Sequence, residues 1–154
     1  EILRMARVFD LKLLAADPYA NALELDYLGV RKVDLDTLLR EADFVVAIPL
    51  LNEATRHLFG AAQFALMKPS AYFINVSRGG LVDQAALIEL LAEGRIAAAG
   101  LDVFAEEPLP PGHPLTRLAN VTLTAHAAWM SPEAGRRLVR LGLEGLREEL
   151  DSLP

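Results

Sequence analysis

Short apolar runs separated by helical patterns are the main feature of this chain. The runs are rich in Val, Ile, Leu and Ala, and they are almost continuously apolar rather than alternating. Continuous apolar runs are typical of strands that are buried on both faces of a parallel sheet. Five runs are clear, at residues 11–16, 44–48, 71–76, 96–103 and 120–124. A sixth run, VRKV at residues 30–33, is weaker.

Helical signals lie between these runs. Asp83 can cap the segment QAALIELLAE, which Gly94 then ends, and Asp36 can cap the segment TLLREA. Residues 61–67 form another short helical pattern. The alternation of strand and helix indicates crossover connections, and therefore an α/β fold with a doubly wound parallel sheet and helices on both faces.

The end of the chain has a different pattern. Ser131 and Pro132 give an N-cap followed by proline at the first helical position, which predicts a long helix to about Asp151. One stripe of this helix is apolar, so the helix could dock either on the domain or on a segment outside this chain. The stripe consists of Val139, Leu143, Leu146 and Leu150.

Composition and charge narrow the class of protein. With 154 residues, 53% of them hydrophobic, the chain can bury the core of one domain. The absence of cysteine excludes disulfides and thiolate metal sites and fits a reducing cytosol, so we expect a cytoplasmic protein and predict no metal site. The net charge of −6 without a basic run argues against nucleic-acid binding, and no apolar stretch reaches the roughly 18 residues of a membrane span.

Asp17 is the first polar residue at a predicted strand end. An acidic residue at the end of the second strand of a dinucleotide-binding sheet can accept both ribose hydroxyls of NAD, and its charge would repel a 2′-phosphate. A turn or cap aspartate before Pro18 is an equally simple explanation. The glycine motif expected about 20 residues upstream cannot be tested, because only 16 residues precede Asp17.

Three later strand ends carry groups that could act together. Arg78 follows the run at 71–76, Asp102 lies in the next run with Glu107 beyond it, and His126 follows the last run. Each has an ordinary explanation when it is considered alone: a solvated arginine, surface carboxylates and a core histidine. In a parallel sheet, however, all three ends open on the same edge, where a guanidinium, a carboxylate and an imidazole could meet.

That set of groups has one coherent chemical use. The planar fork of Arg78 can bind the carboxylate of a 2-keto or 2-hydroxy acid in bidentate fashion. His126 can exchange a proton with the substrate oxygen while a hydride moves to or from the adjacent carbon. A glutamate beside the ring would fix its tautomer and favour the imidazolium form. These residues therefore predict an oxidoreductase site for a small carboxylic acid.

The motifs that contain these residues occur in a recognisable order. NVSRGGLVDQAAL, then GLDVFAEEP, then LTAHAAW resemble successive signatures of the D-isomer-specific 2-hydroxyacid dehydrogenases. The resemblance extends from the DPY motif to His126 and implies a Rossmann-like fold, with NAD as cofactor, whose first strand and glycine loop lie outside this chain. The chain departs from the usual pattern at Ala47, Ala125 and Trp129, and none of these is one of the three candidate catalytic residues.

The resemblance also implies a role for each site residue. Arg78 would bind the substrate carboxylate, and His126 would be the general acid and base. Glu107, directly before Pro108, would pair with His126 in preference to Glu106. The implied cofactor contacts are the ribose aspartate Asp17, the nicotinamide-carboxamide aspartate Asp102, the groove-lining Pro49, Asn75 and Ser77, and the site residues Arg78 and His126.

The resulting hypothesis is an enzyme that transfers a hydride between NAD(H) and a small 2-hydroxy or 2-keto acid, acting as a homodimer. We expect residues 1–130 to form a partial dinucleotide-binding domain, and 131–154 to form a helix that returns toward an absent substrate-binding domain. The missing initiator Met favours a piece of a longer chain, although processing could also remove it. Two alternatives remain: a dinucleotide-sensing, corepressor-like binding module, and a fragment that is inactive in isolation.

Overall fold

Six short parallel strands form the sheets of this chain, in a computed structural model that describes residues 2–151. They form two sheets, one with the order β1-β2 and one with the order β3-β4-β5-β6. Every apolar run singled out in the sequence contains one of them, so all six predicted strands are confirmed, each shorter than its run. The strands are β1 Leu13–Ala15, β2 Val30–Lys32, β3 Phe44–Ala47, β4 Tyr72–Asn75, β5 Ala98–Leu101 and β6 Val121–Leu123.

Six α-helices and three short 3-10 helices connect or flank the strands. The helices predicted after Asp83 and after Ser131 are confirmed, and the pattern at 61–67 gives a single helical turn. Glu1 and residues 152–154, the last part of the predicted C-terminal segment, lie outside the described residues. The α-helices are α1 Ile2–Ala6, α2 Ala22–Tyr27, α3 Leu35–Glu41, α4 Ala61–Phe64, α5 Gln84–Ala92 and α6 Pro132–Asp151; the 3-10 helices are Arg7–Phe9, Gly79–Leu81 and Pro114–Arg117.

The cap of α3 differs from the sequence prediction. Asp34, in extended backbone, accepts a hydrogen bond from the N–H of Thr37 at 2.8 Å and is the N-cap, so the assignment of Asp36 was wrong. Asp36 lies inside the first turn, where its carboxylate pairs with Arg40 at 3.5 Å. The reason is the backbone: an N-cap residue has non-helical backbone, as Asp34 does, whereas Asp36 already lies within the helix Leu35–Glu41.

The core lies on one face of the four-stranded sheet. Side chains alternate along each strand, and the buried set of β3 to β5 packs with α3, α4 and α5. Phe73 of β4 is fully buried, and its ring lies 5.2 Å from the rings of both Phe59 and Phe64. The buried strand residues on this face are Val45, Ala47, Phe73, Asn75, Ala99 and Leu101.

The opposite face of β3 and β4 is largely exposed. Phe44, Val46 and Tyr72 are 60%, 41% and 44% exposed, and the rings of Phe44 and Tyr72 stack at 5.1 Å. The prediction of burial on both faces is therefore wrong for these strands within residues 2–151, because all the helices of the core cover the other face.

The C-terminal helix adds no buried side chain to this core. The predicted stripe of α6 is exposed, with Val139 at 64% and Leu150 at 58%. Within the described part of the chain, no helix combines the length and apolar character needed to cross a membrane.

Parallel register brings the ends of β4, β5 and β6 to one edge. Asn75 pairs with Leu101, and Leu101 pairs with Leu123, so these strands end level with one another. The segments that follow them therefore start side by side, and these segments contain the polar residues singled out in the sequence.

Candidate active site

His126 and Glu107 form an ion pair at this edge of the sheet. Nδ1 of His126 lies 2.7 Å from Oε2 of Glu107, and the two side chains are 40% and 35% exposed. The second carboxylate oxygen, Oε1, accepts the N–H of Phe104 at 2.9 Å, so the carboxylate cannot rotate freely. With Nδ1 on the carboxylate, Nε2 is left to meet a ligand.

The environment keeps Glu107 ionised. The hydrogen bond from the Phe104 N–H, followed by the one from His126, holds the pKa of Glu107 below its usual value, although partial burial opposes this effect. The nearby charges of His126 and Arg78 act in the same direction. The carboxylate that faces Nδ1 of His126 is therefore charged at neutral pH.

The backbone of His126 adopts a conformation that few residues tolerate. Its φ is +53°, in the left-handed region that is uncommon for residues other than glycine. Its N–H donates to the carbonyl of Asp102 at 2.8 Å. The next two N–H groups, of Ala127 and Ala128, donate to the two carboxylate oxygens of Asp102 at 2.8 and 2.9 Å. Asp102 therefore holds the turn that presents the imidazole.

The carboxylate of Asp102 is buried, and its hydrogen bonds offset the cost of burying the charge. Its burial by itself would raise its pKa, but the hydrogen bonds from Thr124 Oγ1 at 2.5 Å and from the Ala128 and Ala127 N–H groups outweigh it and lower the pKa. The sequence reading gave Asp102 only a cofactor contact and missed this anchoring role. The available signal was an aspartate inside an otherwise buried segment, where an ionised side chain needs several partners.

A second buried polar side chain fixes the loop that contains Arg78. Asn75, 1% exposed, donates from Nδ2 to the Arg78 carbonyl at 2.9 Å and accepts the Ser77 N–H at 3.1 Å. Ser77 Oγ donates to the Pro49 carbonyl at 2.8 Å and so joins the ends of β3 and β4. Arg78 itself is exposed, and one guanidinium nitrogen donates to the Ser77 carbonyl at 2.7 Å.

Gly79 lets the Arg78 loop approach the Glu107 loop. A Cβ atom on Gly79 would lie 1.9 Å from the carbonyl oxygen of Phe104, a distance that no side chain can occupy. Gly80 is different, because its Cβ would meet side-chain atoms only, the nearest being Cδ2 of Leu51 at 2.9 Å. The close approach of Gly79 to the Phe104 backbone is a tertiary contact that only the structure shows.

Asp17 lies apart from these residues, at the end of the two-stranded sheet. It is exposed, and its Oδ1 accepts the N–H of Tyr19 at 2.8 Å, which forms a turn. Its other oxygen makes no hydrogen bond to residues 2–151, so a ligand could occupy it. The same described residues contain no cluster of three or more His, Asp or Glu side chains suited to a metal ion.

An open hollow of about 550 Å³ adjoins the His126–Glu107 pair. Its lining includes His126 and Pro108 but not Arg78. The lining residues are Phe104, Glu107, Pro108, Leu109, Leu123, Thr124, Ala125 and His126.

Comparison with known proteins identifies this arrangement. Residues 1–128 match the family described as D-isomer specific 2-hydroxyacid dehydrogenase, NAD binding domain. This chain belongs to that family. The predicted family, its NAD cofactor and the Rossmann-like α/β class are thereby confirmed.

Relatives of known name cover the chain well but are much longer than it. Glyoxylate/hydroxypyruvate reductase B of Citrobacter koseri is 51% identical over 122 residues, which is 79% of this chain and 38% of that relative. A glyoxylate reductase structure from Paecilomyes thermophila is 31% identical, with a TM-score of 0.90 over 99% of this chain and 46% of that one. The NAD complex of a D-isomer specific 2-hydroxyacid dehydrogenase from Lactobacillus delbrueckii is 31% identical, with a TM-score of 0.86 over 99% and 50%.

Gly79→Ala tests the close approach of the two loops. The new Cβ must push the Phe104 backbone away, so we expect the free energy of unfolding to fall by about 1–3 kcal/mol. Gly80→Ala is the matched control and should cost much less, because the Leu51 side chain can rotate. Urea denaturation of both variants provides the comparison, and equal losses would contradict the argument.

Asp102→Asn tests the buried carboxylate. An amide would turn an N–H₂ donor toward backbone donors, so we expect a loss of about 1–3 kcal/mol at neutral pH. Because folding lowers the pKa of Asp102, its contribution is present above the ordinary value of 3.8 and is lost as the pH falls through the lower folded value. The difference between the two proteins should therefore shrink in acid.

Denaturation curves at neutral pH and at about pH 3 measure this change. Asp26→Asn is the control, since Asp26 is exposed and makes no side-chain hydrogen bond within residues 2–151. A gap for Asp102→Asn that stays constant with pH would show that ionisation of Asp102 is not the source of its stabilising effect.

Proposed function

We propose that this chain is the dinucleotide-binding part of an oxidoreductase that transfers a hydride between NAD(H) and a small 2-hydroxy or 2-keto acid. The observation that supports this proposal most directly is the 2.7 Å contact between His126 and Glu107, with Arg78 on the adjacent loop. A dinucleotide held by this chain would supply the hydride to a carbonyl carbon, or accept it in the reverse direction. The residues of this chain bind the acid and move the proton.

Arg78, His126 and Glu107 each have a distinct role. Arg78 keeps most of its guanidinium donors free of protein partners in residues 2–151, and these donors suit a substrate carboxylate. Nε2 of His126 gives a proton to the substrate oxygen during reduction and takes it back during oxidation. Glu107 holds the ring by Nδ1 and stabilises its charged form, so the proton is available at Nε2.

The hydrogen-bond acceptors at the strand ends fit the proposed dinucleotide. The free oxygen of Asp17 can accept the ribose hydroxyls, and its charge disfavours a 2′-phosphate. Oδ2 of Asp102 accepts one N–H, which leaves a lone pair for the carboxamide of a nicotinamide. We also assign Pro49 and Ser77, which are joined by a hydrogen bond, to the wall of the cofactor groove.

We further propose how this part fits the whole protein. Residues 1–130 would be the dinucleotide-binding domain, and 131–154 would contain the helix that returns toward a substrate-binding domain. The exposed stripe of α6 and the length of the relatives, of which the chain covers 38–39%, support this arrangement. The cysteine-free composition supports a cytoplasmic location, and the exposed apolar face of β3 is compatible with a homodimer.

Variants of the three site residues test the mechanism in the full-length polypeptide, with NADH oxidation by glyoxylate, hydroxypyruvate and pyruvate as the assay. His126→Ala should lower kcat by about 10²–10⁴-fold, because proton transfer occurs in the transition state. Glu107→Gln removes the charge that favours imidazolium, so the decline of reduction with rising pH should move to lower pH. Arg78→Lys should raise KM for the acid and leave NADH binding nearly unchanged.

One pair of results would contradict this mechanism. Near-normal turnover in His126→Ala, together with an unchanged pH profile in Glu107→Gln, would favour a binding module that uses the fold without the chemistry.

The role of Asp17 predicts the choice of cofactor. Because the carboxylate accepts ribose hydroxyls and repels a 2′-phosphate, kcat/KM should be higher with NADH than with NADPH. Asp17→Asn keeps the turn to Tyr19 but removes the charge, so it should reduce the preference. Equal or better use of NADPH by the unmodified protein would overturn the assignment of Asp17.

A further inference from the structure

Gln84 touches neither His126 nor Glu107, yet it is bonded to the loop that precedes Glu107. It is the first residue of α5 and is half-buried. Its Oε1 accepts the N–H of Ala105 at 3.0 Å, and its Nε2 lies 3.2 Å from Nε2 of His113. The side chain therefore links the start of a helix to two segments that are 21 and 29 residues away in sequence.

These contacts fix one peptide group from both sides. The peptide between Phe104 and Ala105 presents its carbonyl to Gly79, where a Cβ would lie only 1.9 Å from the oxygen. The N–H of the same peptide donates to Gln84. A peptide held at both its carbonyl and its N–H has little freedom to rotate, since the group is planar.

The orientation of this peptide determines where Glu107 lies. Phe104 is shared by two peptides, and the N–H of the preceding one donates to Oε1 of Glu107 at 2.9 Å. That hydrogen bond leaves Oε2 directed at Nδ1 of His126. A rotation of the clamped peptide would displace the chain from Ala105 to Glu107 relative to the Phe104 N–H, and so loosen both that hydrogen bond and the ion pair with His126.

We propose that Gln84 is a positioning residue for the His126–Glu107 pair in the hydride-transfer reaction. The proposal rests on the function proposed above. Gln84 acts through the Phe104–Ala105 peptide, and it has no contact with the reacting atoms. It keeps Glu107 aligned with the imidazole and so sustains the charged form of the ring that donates the proton.

His113 lies against the other end of the Gln84 side chain. Nδ1 of His113 accepts a backbone N–H, so Nε2 carries the ring proton, and its 3.2 Å contact with the Gln84 amide nitrogen is a packing contact between two donors rather than a hydrogen bond. Its ring stands at the start of the 3-10 helix Pro114–Arg117, where Nδ1 accepts the N–H of Leu115 at 3.3 Å. Leu115 is 1% exposed and belongs to the core, so the ring is attached to a rigid part of the fold. Because Oε1 of Gln84 faces an N–H donor, its amide nitrogen faces His113.

Gln84→Met is the decisive variant, since methionine has a similar length and cannot accept the hydrogen bond from the Ala105 N–H. In the full-length polypeptide, we expect kcat for keto-acid reduction to fall about three- to tenfold, as for the loss of one hydrogen bond. The decline of activity with rising pH should move to lower pH, in the direction expected for Glu107→Gln. KM values for NADH and for the acid should stay unchanged, because Arg78 and the cofactor groove are not affected.

Three further variants separate positioning from general stability. Gln84→Glu keeps an acceptor for the Ala105 N–H and should retain the wild-type pH profile. Glu89→Met places the same residue at an exposed position of the same helix and should change neither kcat nor the profile. In a Glu107→Gln background, Gln84→Met should cause no further loss of kcat, because the carboxylate that it positions is already absent.

The outcomes are distinct. A wild-type profile in Gln84→Met, or losses of kcat that multiply in the double variant, would overturn the positioning role while leaving the proposed function in place. If Gln84→Met does not fold, a pH profile of Gln84→Glu displaced like that of Glu107→Gln would overturn the role instead. A full-length protein without reductase activity on any 2-keto acid would overturn the function, and the inference with it.

Discussion

The buried carboxylate of Asp102 is the interaction on which the candidate site depends. It lies at the end of β5 and accepts hydrogen bonds from Thr124 and from the two residues after His126. Without it, the turn that keeps His126 in its left-handed conformation would lose its side-chain support, and three donors would lie unpaired. One side chain thus joins two strand ends and directs the imidazole toward Glu107.

The other loops of the site are fixed in the same manner, by polar groups that bridge neighbouring strand ends. Asn75 closes the turn before Arg78, and Gln84 clamps the segment before Glu107. Gly79 allows the two loops to touch. The guanidinium of Arg78 makes one hydrogen bond, to the Ser77 carbonyl, and would be the group that adapts to a substrate carboxylate.

The distribution of buried and exposed side chains shows which parts of the fold form a complete core. The face of the four-stranded sheet that packs on α3, α4 and α5 is a dense core around Phe73. The opposite face, the free edge of β3 and the whole of α6 expose apolar side chains such as Phe44 and Val139. The hydrophobic effect favours covering such surfaces, which is consistent with a family whose relatives are more than twice as long as this chain.

The sequence by itself determined the strands, the parallel α/β class, the family and the edge at which Arg78, Glu107 and His126 lie, because apolar runs and ordered motifs are local properties. It did not determine that Asp34 rather than Asp36 caps α3, nor that β3 buries only one face. It also did not reveal the anchoring by Asp102 and Gln84. The cap is a local choice between two aspartates that is decided by the backbone at the start of the helix. The anchoring by Asp102 and Gln84 depends on contacts between residues about 20 or more positions apart, whose distances are decided only when the strands align in register.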